Sequence, residues 1–149
     1  MRLLDYDHMP PVAAVMTPFP YSVRPDDPVR RALDLMQRHD VRHVPVTDSD
    51  RITGIVADRD LRWLQSDTHS PAEPDGVRVS EVQTSDPYTV ELTTPLARVL
   101  EEMIERQIGA AIVTKSSRLA GIVTVTDVCR ALAALLEQRY GSGSPDAAA

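Results

Sequence analysis

The chain has 149 residues, 42% hydrophobic and 26% charged, ordinary proportions for a soluble globular protein long enough to bury a core. A net charge of −6 argues against a surface built to coat nucleic acid. No apolar run approaches the roughly 18 to 20 residues of a membrane span. Residues 1–7 lack the apolar core of a signal peptide, so a cytoplasmic location is expected. The one cysteine, Cys129, excludes an internal disulfide; its place on the expected apolar face of the last helix predicts a buried small hydrophobe rather than a reactive thiol.

Residues 1–14 read as an arm carrying Met9-Pro10-Pro11, followed by a short turn through Val12 to Met16. Thr17-Pro18-Phe19-Pro20 cannot be regular helix, because proline fixes its own backbone and restricts the residue before it. Tyr21-Ser22-Val23 is a strand candidate, and Asp27-Pro28 is a helix start with Asp27 at the N-cap and Pro28 at the first helical position. Val29, Ala32, Leu33, Leu35 and Met36 then fall mostly on one helical face, ending near His39-Asp40. Val41 to Thr47 and Ile52 to Val56 are β-rich around an Asp48-Ser49-Asp50-Arg51 turn, and a second helix begins at Asp58 and runs to about Leu64. Residues 65–78, with Pro71, Pro74 and Gly76 and no apolar period, predict a flexible linker.

The same plan follows in the second half. Val79 to Val82 is a short turn, Tyr88 to Val90 a strand, and Thr94-Pro95 opens a helix to about Arg106 whose apolar stripe is Leu96, Val99, Leu100, Met103 and Ile104. Strands are expected over Ile108 to Val113 and Leu119 to Val123, a helix over about Thr126 to Tyr140, and a disordered tail over residues 141–149.

The halves are copies. At a constant offset of 67 positions, Val15/Val82, Thr17/Thr84, Pro20/Pro87, Tyr21/Tyr88, Pro28/Pro95, Met36/Met103, Val46/Val113, Gly54/Gly121, Val56/Val123 and Asp60/Asp127 are identical, with no gap in register. Each half reads β-α-β-β-α, giving an α/β (α+β) fold. Two helices cannot cover both faces of a three-stranded sheet, so the halves are expected to pack on each other with pseudo-twofold symmetry.

The stretch Gly121-Ile122-Val123-Thr124-Val125-Thr126-Asp127 carries the most chemistry. A strand that stops at a helix start creates a corner of free N–H groups and positive dipole. Threonine hydroxyls there suit phosphate oxygens, and the Asp127 carboxylate offers two acceptors to a diol such as ribose. The plainer reading is that Thr126 or Asp127 merely caps the helix.

Taken in order, these pieces resemble the CBS domain (the cystathionine β-synthase type), here as a tandem pair or Bateman module. Val15-Met16-Thr17, Val23 to Pro28, Ala32 to Met36, Val41 to Val46, Gly54 to Leu61 and their second-half partners carry the resemblance. It implies repeats at 15–64 and 79–140, and two clefts between them that take adenosine ligands: AMP, ADP or ATP, with S-adenosylmethionine or NAD as further candidates. One cleft would join Thr124, Thr126 and Asp127 to Met16, Thr17, Tyr21, Val41, Arg42 and Pro45. The other would join Ala57, Arg59 and Asp60 to Thr84, Tyr88, Ile108, Gly109 and Ile112. Ala57 departs from the pattern and loses a phosphate donor worth on the order of 1 kcal/mol. Arg59 could offset that loss, and the Asp127 cleft ranks first.

The resemblance implies a regulatory module rather than an enzyme, a disc-like homodimer that covers faces such as Leu33/Met36 and Leu100/Met103, and an effector protein not fused to the chain. The alternative is a ligand-independent dimerising scaffold. No nucleophile–base set and no glycine-rich phosphate loop is visible, so no catalytic residues and no required cofactor are expected. His39 and His43 are four apart, but the helix-to-strand change between them breaks a metal-binding geometry, so no metal site is expected.

Overall fold

The computed structural model describes residues 2–62 and 76–141. Most of the expected linker and all but the first residue of the expected tail lie outside these residues.

Two hairpins form the centre of the molecule. Strands β2 (His43–Asp48) and β3 (Arg51–Ala57) pair antiparallel, as do β6 (Ala110–Lys115) and β7 (Arg118–Thr124). Each is closed by two residues with positive φ, Ser49 (49°) and Asp50 (68°) or Ser116 (52°) and Ser117 (65°). This turn geometry matches the twist of the strands it joins. Both hairpins also shift register at equivalent places, between Val46 and Thr47 and between Val113 and Thr114.

Helices α1 (Val29–His39) and α4 (Leu96–Arg106) lay Val29, Ala32 and Met36, or Leu96, Val99 and Met103, into the cores. Each ends on a left-handed residue, Asp40 or Gln107. The start of α1 is one residue later than expected. Pro28 is the N-cap, because the Asp27 carboxylate turns back to accept from the Arg24 N–H at 2.8 Å. Tyr21 to Val23 forms a single parallel bridge, Val23 to Val46, rather than a strand.

The halves exchange their leading segments. The two-residue strand β1 (Thr17–Pro18) pairs with β7, so the second half's sheet runs β1-β7-β6-β5, with β5 at Thr89–Glu91. Reciprocally, β4 (Thr84–Ser85) pairs with β3, giving β2-β3-β4. The exchange reaches the cores. Val79, on the short helix α3 (Val79–Val82), is fully buried among Val29, Ala32, Val44, Val56 and Leu61 of the first half. Its counterpart Val12 is fully buried among Leu96, Val99, Val113 and Val123 of the second. Backbone bonds fix both segments: Val12 N–H donates to Thr94 O at 2.7 Å and Val79 N–H to Asp27 O at 2.9 Å.

Two expectations are corrected. The Leu33/Met36 and Leu100/Met103 faces are not left open, since both methionines lie in the cores with the leucines packed against them. Cys129 is exposed. The last helix, α5 (Val125–Tyr140), buries only Asp127 and leaves Val125, Leu132, Leu136 and Tyr140 on its surface, so the face expected to be internal points outward.

Candidate functional site

The helix α5 starts at Val125, with Thr124 as its N-cap and Asp127 in its first turn. The two side chains form a reciprocal capping box: Asp127 N–H donates to Thr124 Oγ1 at 3.3 Å, and Asp127 Oδ2 accepts from Thr124 N–H at 2.8 Å and Thr124 Oγ1 at 3.0 Å. Thr126, the alternative cap, is exposed. The expected corner of free donors is largely satisfied from within, because the Val125 N–H also donates to Gly109 O at 3.1 Å.

The other carboxylate oxygen faces the first half. Thr17 Oγ1 donates to Asp127 Oδ1 at 2.6 Å, and Arg130 Nη1 stands 3.4 Å from the same atom. β1 delivers Thr17 opposite Ile122, and Met16 closes over Gly121, where a Cβ would meet Met16 Sδ at 2.5 Å. Thr17, Met16, Thr124 and Asp127 are thus assembled from both halves.

The other residues expected in that cleft make the following contacts within the first half. Tyr21 stacks on His39, with ring centroids 3.7 Å apart and planes 9° from parallel, so one face of the tyrosine is already covered. Pro45 is buried in β2 opposite Ile55. Val41 and Arg42 line a depression of about 330 Å³ with Leu33, Met36, Asp58 and Arg62, all from the first half.

The equivalent corner at α2 (Asp58–Leu61) is weaker. Asp60 Oδ2 accepts from the Ala57 N–H at 2.9 Å, but Ala57 has no hydroxyl to return the bond. Thr84 lies opposite Ile55 and makes no bond to Asp60 like that of Thr17 to Asp127. Arg59 is exposed, Ile108 packs against the second core, and Ile112 is fully buried. Tyr88 lies under the Arg106 guanidinium, 4.6 Å from the ring centroid; burial and then Glu102 push its hydroxyl pKa up.

The sequence reading missed His43 here. Its imidazole packs beside Gly109, 3.5 Å from where a Cβ on that residue would stand, an ordinary contact distance. Burial first and Arg59 next lower its pKa, against the opposing pull of Asp58 and Asp60. The available signal was the exchange of Arg42-His43 in one half for Gly109-Ala110 in the other, a large pair facing a small one.

A family model described as the CBS domain matches residues 12–67 and again residues 79–134. The chain belongs to the CBS domain family. It is 32% identical over 124 residues to the uncharacterized protein YlbB of Bacillus subtilis, covering 80% of this chain and 79% of that one. It is 31% identical over 117 residues to inosine-5'-monophosphate dehydrogenase of Aquifex aeolicus, covering 74% of this chain and only 22% of that enzyme.

Among solved structures, AcuB of Vibrio cholerae superposes with a TM-score of 0.77 at 28% identity, over 92% of this CBS pair and 100% of that chain. CBSX2 in complex with AMP gives 0.69 at 28%, over 85% and 98%. The CBS domain of the bacterial CNNM/CorC family Mg2+ transporter in complex with ATP gives 0.71 at 26%, over 83% and 87%. Among the described residues, no helix is long and apolar enough to cross a membrane.

Proposed function

We propose that this CBS pair is a regulatory module that binds and senses an adenosine nucleotide of the AMP, ADP or ATP type, with the Asp127 corner as its principal site. The observation that carries the reading is the Asp127 carboxylate, buried at the joint between the halves and bonded to both. Similar CBS pairs hold AMP and ATP. S-adenosylmethionine and NAD share the adenosine group and are further candidates.

In this reading Asp127 accepts from the ribose hydroxyls, while Thr124 and Thr126 serve phosphate. Met16, Thr17, Tyr21, Val41, Arg42 and Pro45 border the base, Tyr21 exchanging its His39 contact for the adenine. The second cleft, from Ala57, Arg59 and Asp60 to Thr84, Tyr88, Ile108, Gly109 and Ile112, binds more weakly because it lacks the threonine donor, and the His43 imidazole packs against its Gly109 wall. The ligand acts by its differential affinity for two poses of the repeats, read by an effector protein. The module performs no catalysis and needs no cofactor. Calorimetric titration with AMP, ATP and S-adenosylmethionine tests this; no heat with any of the three removes it.

A second reading, a ligand-independent dimerising scaffold, is favoured by one feature. Val125, Leu132, Leu136 and Tyr140 are 55%, 53%, 46% and 66% exposed along α5. A homodimer covering this stripe is compatible with both readings. Unchanged dimer stability and effector binding in nucleotide-free buffer would favour the scaffold.

A further inference from the structure

The Asp127 carboxylate has room for about four hydrogen bonds, and all are taken without a ligand. Oδ2 accepts from the Thr124 N–H and hydroxyl, and Oδ1 from the Thr17 hydroxyl and the Arg130 guanidinium. A ribose diol that donates two hydrogens to this group must therefore displace side-chain donors already on it. The two donors on Oδ1 are not equally easy to displace. The Thr17 hydroxyl can rotate to another acceptor, whereas Arg130 carries a charge that must find a new partner or return to water.

We infer that Arg130 is a specificity-determining residue that selects a phosphorylated adenosine over the free nucleoside, and this rests on the proposed nucleotide reading of the Asp127 corner. Arg130 lies one turn along α5 from the capping box, with its side chain 71% exposed, while that of Asp127 is 5% exposed. The guanidinium thus sits over the outer side of a nearly enclosed carboxylate. Among the described residues its one anchor is a 3.4 Å contact, long for a charge-assisted bond. When a diol takes Oδ1, the displaced guanidinium stands beside the α5 N-terminus, where the threonines serve phosphate. A planar fork of donors suits phosphate oxygens. Adenosine gives it no such partner, so the nucleoside must break the Arg130 contact without replacing it. The corresponding position in the first repeat is Trp63, which has no charge to offer.

The test is calorimetric titration of AMP and of adenosine into the full chain and into Arg130→Gln, with circular dichroism melts to establish that both fold. The expected result is an AMP affinity lowered about tenfold or more by the substitution, with adenosine affinity unchanged or slightly raised because the competing contact is gone. Arg130→Lys, which keeps the charge without the fork, should recover part of the AMP affinity. Equal losses for AMP and adenosine would show that Arg130 acts only through Asp127, and no change for either would show that it does not act; both overturn the inference while leaving the nucleotide reading in place. A wild-type chain that binds neither ligand overturns both.

Discussion

Thr17 and Asp127, 110 positions apart in the chain, share a 2.6 Å hydrogen bond that ties the first repeat's leading strand to the second repeat's last helix. The bond is charge-assisted, and its acceptor is the one buried side chain of α5. It links the repeats at the atom where, in the proposed nucleotide reading, a ribose would compete. In that reading, ligand entry and the coupling of the two repeats are alternatives at one carboxylate.

Removing the donor should loosen the chain. Thr17→Val is expected to lower unfolding stability by about 1.5 kcal/mol, the low end for a hydrogen bond to a charged group, because Thr17 is itself exposed. Urea denaturation of the variant against wild type measures it. A change within experimental error would mean that the bond does not couple the repeats.

The two central glycines make a graded prediction. A Cβ on Gly54 would lie 2.8 Å from the Thr84 backbone carbonyl, whereas the tightest contact of one on Gly121 is the flexible Met16 sulfur at 2.5 Å, with Thr17 O at 3.0 Å. Backbone held in a sheet gives way less easily than a methionine. Both Gly→Ala changes should destabilise, by about 1 to 3 kcal/mol, with Gly54→Ala the worse. Thermal melts rank them.

Acid should weaken the fold partly through His43. Its folded-state pKa lies below the usual 6.5, so the unfolded chain takes up the proton first. This contribution to stability is complete above pH 6.5 and is lost as pH falls from there towards the lowered folded value, below which it levels off. His43→Gln should flatten that part of the stability–pH curve. Parallel slopes for wild type and variant between pH 7 and pH 5 would contradict the assignment.

Neither repeat is complete alone, because Val12 and Val79 each fill the other repeat's core. A fragment starting at residue 76 should show no cooperative melt by circular dichroism, and adding a peptide of residues 2–20 should restore some structure. A cooperative melt for the fragment alone would show that the exchanged segment is dispensable.

The fold was legible because duplication doubles every weak signal: the stripes of α1 and α4, the paired turns and the Gly54/Gly121 register each occur twice. The exchange of leading segments was not, since Val12 and Val79 look the same whichever core they enter. Strands of two residues such as β1 and β4 carry no period to read. The role of Asp127 in a capping box was half visible, but the cap expected at Thr126 or Asp127 lies two or three residues past the actual cap, Thr124. Cys129 was misplaced for a related reason. α5 is apolar on the side away from the sheets as well, and composition alone cannot say which stripe is covered. The meeting of Thr17 with Asp127 came from the family resemblance and not from any local pattern.

The most direct measurement is calorimetric titration of AMP into wild type, Asp127→Ala and Asp60→Ala, each verified as folded. The account predicts that wild type binds, that Asp60→Ala retains most of the affinity, and that Asp127→Ala loses it. Equal binding by wild type and Asp127→Ala, or no binding by wild type, would contradict it.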